Sequence, residues 1–381
     1  SSALSANTSA NSNTAVGFAA MDATTTGALN TAVGQDALGA NTTASNGTAV
    51  GYQALGANTT GADNVAIGYQ ALDANTTAAN NTAVGSTALG ANTTGSNMTA
   101  VGYAAADANT TGVSSVAVGV NALGANTTGS SNVALGELAL AVNTTGGSNI
   151  AIGHKALDAG VDGVSNTVAV GKNALGANTA SGSGTVPNVA VGHQSQATTT
   201  TGTANTSVGS WTLDANTEGA YNTAIGLNAL TTNTTGNYNA AFGANSLAAN
   251  TTGSNNTMLG YYAGFANTTA SNNTVVGFGA FQANTTGAQN TAVGTYALDA
   301  NTEGDYSTAI GYSALSAATT ADGNTAVGWG SLLSTTTGYA NVAMGLSAMG
   351  VNTTGYGNAA VGYQALDANT TGANNVGVGM Q

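Results

Sequence analysis

The chain has 381 residues, of which only 4% are charged; its net charge is −13, with two basic side chains, Lys155 and Lys172, and no arginine. A chain this poor in cations excludes nucleic-acid binding, which depends on Lys and Arg neutralising phosphates, and excludes attraction to anionic lipid. Apolar residues reach 42%, too many for a disordered segment, so they predict a buried core, a thin one built from Ala, Val and Leu.

The dominant pattern is a repeat. Twenty-two glycines, from Gly17 to Gly379, each end an apolar pair, and they follow one another at steps of 17 residues. Two steps differ: Gly153 to Gly171 is 18 and Gly171 to Gly192 is 21. A strict short period means that each unit is one supersecondary element that cannot bury its own apolar face and must stack on its neighbours. Seventeen residues suit one coil of a β-solenoid. The expectation is an all-β chain, a parallel β-solenoid or β-roll of about 22 coils forming a single array over residues 1–381.

The unit is read in chain order, with its repeat glycine as position zero. Val or Ile at minus one (Val16, Val33, Ile67) and Thr or Val at minus three (Thr31, Val65) share one face of a strand, and the Ala between them points the other way. Glycine then permits a bend. Leu at plus four (Leu38, Leu55, Leu72) and Ala at plus six define a second short strand. The N-T-T-G segment makes a second turn, since Asn and Gly tolerate left-handed conformations. Two strands and two turns per coil follow, with Val, Leu and Ala inside.

Asparagine recurs at plus seven (Asn41 to Asn369) and at minus four (Asn13 to Asn375), where stacked amides would bond along the solenoid. N-T-T is also a glycosylation sequon, but coils a few ångströms apart leave no room for glycans at every site. Asp at plus five (Asp22, Asp73, Asp107, Asp158, Asp214, Asp299, Asp367) never falls on consecutive coils, as like-charge repulsion between stacked strands requires. Such dispersion argues against calcium. The best local candidate for a metal, Asp299 with Glu303 and Asp305, is set aside, and no cofactor is expected.

The segments N-T-A-V-G (Asn30 to Gly34), N-V-A-I-G (Asn64 to Gly68) and N-I-A-I-G (Asn149 to Gly153) resemble the head repeat of the trimeric autotransporter adhesins, the YadA-like family. The string from Gly47 to Leu55 and that from Asn358 to Leu366 also look like repeats of phage-type tail-fibre proteins. The adhesin resemblance implies a left-handed parallel β-roll, three chains packed about a common axis, and an extracellular or cell-surface location. The unit here is longer than that family's coil, which would place the extra residues in the N-T-T-G turn, and neither a coiled-coil stalk nor a membrane anchor is evident.

Position plus one carries an aromatic column: Phe18, Tyr52, Tyr69, Tyr103, Tyr261, Phe278, Tyr312, Trp329 and Tyr363, with Trp211 one place later. It could cap the end of the thin core, pack against another chain or stack on sugars. A contiguous apolar stripe is usually an interface, so Tyr52 to Tyr363 in this column are the candidate self-association residues. The repeat breaks its own rules once. His154, Lys172 and His193 occupy plus one on three successive coils, beside Lys155, and Pro187 and both length changes fall in the same stretch. Loop insertions near 158–166 and 178–188, including Asp162 and Ala180 to Pro187, are expected to protrude, and His154, Lys155, Lys172, His193 and Pro187 are the candidate receptor contacts.

An enzyme is not expected, because the acids are dispersed and arginine is absent. The leading expectation is therefore an extracellular structural or adhesive fibre, self-associating as a homotrimer or end to end, with a host or surface receptor as its other partner. An ice- or surface-binding solenoid is one alternative, weakened because N-T-T lacks the T-x-T spacing of a flat Thr array; a polysaccharide-active β-helix enzyme is another. The chain starts at Ser1, not Met, which suggests a processed protein or a fragment. Its two ends match in repeat phase, which suggests that about 105 Å of rod (22 coils at about 4.8 Å) continues into a further copy or more of the same array.

Overall fold

A computed structural model describes residues 2–159, 163–178 and 187–381. The chain is an all-β parallel β-solenoid: 22 strands, about 21 turns, a repeat of about 17 residues, and no helix among the described residues. Each strand is three residues long, from β1 (Thr14–Val16) to β22 (Val376–Val378). The chain divides into two compact units, Ser1–His193 with β1 to β11 (Val189–Val191), and Gln194–Gln381 with β12 (Thr206–Val208) to β22. Within each unit the strands pair in sequence order and in register, Thr31 beside Thr48 and Val33 beside Val50, or Thr308 beside Thr325 and Ile310 beside Val327. The 18- and 21-residue steps leave this register intact: Ala151, Ala169 and Ala190 are aligned on β9 (Ile150–Ile152), β10 (Val168–Val170) and β11. The inserted residues 160–162 and 179–186 lie outside the described residues, and with them most of the two expected loops.

The inside and outside of the strand are the reverse of the sequence expectation. Ala32, Ala49 and Ala66, at minus two, are fully buried, whereas Val16, Val33 and Ile67, at minus one, are exposed. Period-two alternation grouped the right residues, but the more apolar face is the outer one. The reason is thickness. Each coil is only one strand and one turn segment wide, and Leu at plus four, buried in Leu38, Leu55 and Leu72, already fills it from the opposite wall. In most coils a methyl group fills the space between, and Met258 and Val275 are the larger residues buried at the same position. The companion of Leu is the buried Ala at plus three (Ala37, Ala54, Ala71), not the half-buried Ala at plus six.

The second expected strand is not a strand. After the glycine the backbone alternates in hand, with plus two and plus four left-handed: Asp36 has φ 56° and Leu38 φ 50°. Its amides still bond between coils, Gln53 N–H to the Gln35 carbonyl below and Leu38 N–H to the Ala54 carbonyl above, both at 3.0 Å. The left-handed residue near the second turn is at plus twelve (Asn46, Asp63), not the Asn or Gly of N-T-T-G. Left-handed backbone costs about 1–2 kcal/mol per non-glycine residue, so the segment persists only because burial of Leu and the inter-coil bonds offset it.

The buried Asn columns do connect the coils. At plus seven, Asn109 Nδ2 donates to Asn92 Oδ1 at 2.8 Å and to the Gly112 carbonyl at 3.1 Å, and Asn126 Nδ2 donates to Asn109 Oδ1 at 2.8 Å. At minus four the pattern is amide to backbone: Asn30 Oδ1 accepts the Gly47 N–H at 2.7 Å and its Nδ2 donates to the Ala44 carbonyl at 2.9 Å. The sequon nitrogens at plus seven are thus buried and hydrogen-bonded, which opposes glycosylation of the folded coil.

Candidate functional site

Because the strands stack in register, each outward side chain becomes a column. Minus three carries Thr, Val or Ile, with Ala at Ala240 and Ala359, and minus one carries Val, Ile, Leu or Met, with Phe at Phe242. Leu135 in the first unit and Leu259, Ile310 and Met344 in the second are exposed like Val16 and Ile67. Across the repeat glycine the plus-one column continues this apolar surface. Tyr69 is 52% exposed and Tyr103 60%. The aromatic column therefore does not cap the core; it lies outside it. Tyr52 and Tyr69 stack with ring centroids 5.4 Å apart. In the second unit the aromatics form a run over five coils: Tyr261 to Phe278 at 5.5 Å, Phe278 to Tyr296 at 5.5 Å, Tyr296 to Tyr312 at 6.4 Å and Tyr312 to Trp329 at 6.2 Å. Tyr363 and Phe18 are exposed in the same column. Tyr52 with Tyr69, Tyr261 with Phe278 and Tyr312 with Trp329 are stacked and cover one another's faces, whereas Tyr296 meets both of its neighbours edge to face; the stacked pairs turn their edges outward, which suits packing against a second surface.

A second aromatic corner escaped the reading of the sequence. Tyr221 and Tyr238 stack at 5.0 Å with planes 8° apart, and Tyr339 and Tyr356 at 4.9 Å and 3°. They occupy plus twelve and plus eleven, where the chain enters the strand. The signal was available, since each pair is spaced by the 17-residue period.

The basic stretch is assembled as the repeat phase implies. The register of β9, β10 and β11 sets His154, Lys172 and His193 at one corner of successive coils, with Glu137 one coil earlier. His154 Nε2 lies 4.0 Å from Glu137 Oε2. Burial raises the Asp158 carboxyl above its ordinary range, while Lys155 and, more weakly, His154 pull it down. Lys172 and Pro187 are exposed and Lys155 and His193 are partly so. Asp162 lies outside the described residues.

The acids do not converge. Among the described residues no three of His, Asp or Glu approach closely enough to hold a metal ion, so Asp299, Glu303 and Asp305 are not brought into one site. One carboxylate oxygen of Asp305 instead accepts the Ala288 N–H at 2.6 Å, and Asp322 repeats the arrangement with the Asp305 N–H at 2.8 Å. These two acids occupy one column on consecutive coils, which the spacing seen at plus five avoids; the backbone N–H bonds supply the compensating charge. No helix among the described residues is long and apolar enough to cross a membrane. No protein-family model matches this chain, and a search of curated proteins returns no match either.

Proposed function

We propose that the chain is an extracellular structural or adhesive fibre protein that associates with copies of itself, as a homotrimer, through the outward strand face and the plus-one aromatic corner. The observation that carries this reading is the exposed apolar column at minus one, which includes Val33, Ile67 and Leu135, flanked over part of its length by plus-one aromatics such as Tyr52 and Tyr69. Contiguous apolar surface on this scale marks an interaction face rather than a solvated one. Association in water would bury it, and the low charge of the strand face leaves nothing to oppose contact between like chains. The adhesive contact is assigned to the stretch of the plus-one column where His154, Lys172 and His193, beside Lys155 and with exposed Pro187 nearby, interrupt the aromatic residues.

Native mass measurement tests the assembly. Three chains are expected, and Ile67→Asp with Leu135→Asp, both outward and away from the core, should give single chains that keep their β-sheet signal. Monomers before any substitution would overturn the reading. A second reading has its own support: Thr at minus three and Val at minus one share the outward face, a T-x-V grid in place of the T-x-T array sought in the sequence. Thermal hysteresis or shaping of ice crystals by the unassociated chain would favour that ice-binding alternative.

A further inference from the structure

We propose that Tyr221–Tyr238 and Tyr339–Tyr356 are oxidative cross-linking sites, at which a one-electron oxidant of the peroxidase and peroxide class joins consecutive coils through a dityrosine bond. The two pairs repeat one geometry at the strand-entry corner: centroids 5.0 and 4.9 Å apart, planes within 8° and 3°, all four rings exposed. Neighbouring coils are locked by backbone bonds at these positions, Tyr238 N–H to the Ala220 carbonyl and Gly357 N–H to the Tyr339 carbonyl, both at 3.1 Å. Two phenols held side by side and open to solvent meet the requirement for radical coupling, since the second radical forms where the first cannot diffuse away. The chain has no cysteine, so disulfides are not available to staple its coils.

The step balances. Each phenol gives up its O–H hydrogen as a proton and an electron, and the two radicals join at ring carbons ortho to oxygen. Each of those carbons then passes its hydrogen to its own phenol oxygen as the ring becomes aromatic again. The pair loses two hydrogens, and one hydrogen peroxide is reduced to two waters. This proposal is independent of the function proposed above, because the rings lie at the opposite end of the strand from the plus-one corner.

Tyr306 provides an internal control. It lies in the plus-twelve column and is 66% exposed, more than either Tyr221 or Tyr238, but its column neighbours are Gln289 and Gly323. The experiment treats the dilute full chain with a peroxidase and hydrogen peroxide, then maps linked peptides by mass after broad-specificity proteolysis. The expected result is chains of single-chain mass under denaturing conditions, with dityrosine fluorescence. Linked peptides should join Tyr221 to Tyr238 and Tyr339 to Tyr356, each lighter by two hydrogens, as well as Tyr52 to Tyr69, the stacked and exposed pair of the plus-one corner, and Tyr306 should remain uncoupled. Tyr221→Phe and Tyr339→Phe, which keep the stacked rings, should abolish the two strand-entry linkages. Gln289→Tyr should create a linkage to Tyr306. Coupling of Tyr306 in the unsubstituted chain at a yield equal to the pairs, or absence of both strand-entry linkages, would overturn the proposal.

Discussion

The repeat glycine is the residue on which the coil depends most. Gly102 has φ 137°, and a Cβ there would lie 2.5 Å from the Gly119 carbonyl oxygen of the next coil. Both the dihedral and the space require glycine, and each such glycine abuts the next. Gly39, at plus five, lacks the dihedral restriction and is less crowded: its φ is not positive, and a Cβ would lie 3.3 Å from the Asp36 carbonyl oxygen, a tight contact that a shift of a few tenths of an ångström relieves. Gly102→Ala is therefore expected to cost well over the ~1 kcal/mol of an incompatible backbone substitution, and Gly39→Ala less than about 1 kcal/mol, as read by chemical denaturation. Asn109 makes the complementary case for a side chain. Asn109→Ala takes the Asn109 donor from the Gly112 carbonyl and from Asn92 Oδ1, and leaves Asn126 Nδ2 with the Gly129 carbonyl as its acceptor, at about 1–3 kcal/mol for each group left unpaired in the buried column. Asn109→Thr should cost less, because Thr24 and Thr335 occupy the same column elsewhere, each accepting a bond from the next Asn at 3.3 Å. Equal losses for Ala and Thr would show that the column's hydrogen bonds contribute little.

At the scale of one coil, the core is a contact between the strand residue at minus two and the residue at plus four. Most coils pair Ala with Leu. The coil of Gly260 inverts the sizes: Met258 stands at minus two and Gly264 at plus four, and a Cβ on Gly264 would lie 2.7 Å from Met258 Sδ. Met258→Ala should therefore open a cavity and cost about 2–5 kcal/mol. Gly264→Leu should overpack and cost about 1–3 kcal/mol. The two together restore the Ala–Leu pair of the preceding coil, Ala241 with Leu247, and should cost less than either single change, a coupling that a double-mutant cycle measures. Simple additivity would show that the two residues do not share one space. This pairing also explains what the sequence allowed to be read. The period, the parallel stacking, the buried Leu and the Asn column at plus seven follow from residue type at fixed spacing. The burial of Ala in place of Val does not, because hydropathy ranks Val as the inward residue and only the width of the coil reverses that order. The alternating-hand segment was equally hidden: Leu38 in a left-handed conformation contradicts its local preference, and stacking imposes it. For the site, the plus-one column was evident as an aromatic phase. The tyrosine pairs were missed because they are split between plus eleven and plus twelve, so neither forms a full column.

Across the whole chain the charge balance is one-sided, with 15 acids against two lysines, and the second unit contains no Lys, Arg or His. Four of the acids at plus five, Asp73, Asp107, Asp158 and Asp299, are partly buried, and desolvation raises each above the ordinary value of 3.8; backbone hydrogen bonds oppose the shift in all four. The consequence for stability has a definite sign. A carboxyl whose value is raised by folding binds its proton more tightly in the folded state. Its stabilising contribution is complete below 3.8 and is lost as the pH climbs through the raised folded value. Stability should thus increase on acidification from about pH 7 to about pH 4, the reverse of a protein held by salt-bridged carboxylates, and relief of self-repulsion among the −13 charges acts in the same direction. Thermal unfolding followed by circular dichroism is expected to give a higher midpoint at about pH 4 than at about pH 7. Replacing Asp73, Asp107 and Asp299 by Asn in one chain separates the local cause from the global one. These three lack the opposing pull of a cation that Lys155 exerts on Asp158. The triple variant should unfold at a higher temperature than the parent at neutral pH and show a smaller gain on acidification. A midpoint that falls steadily between neutrality and about pH 4 in the parent would mean that the plus-five carboxylates are stabilised by their backbone donors more than they are penalised by burial.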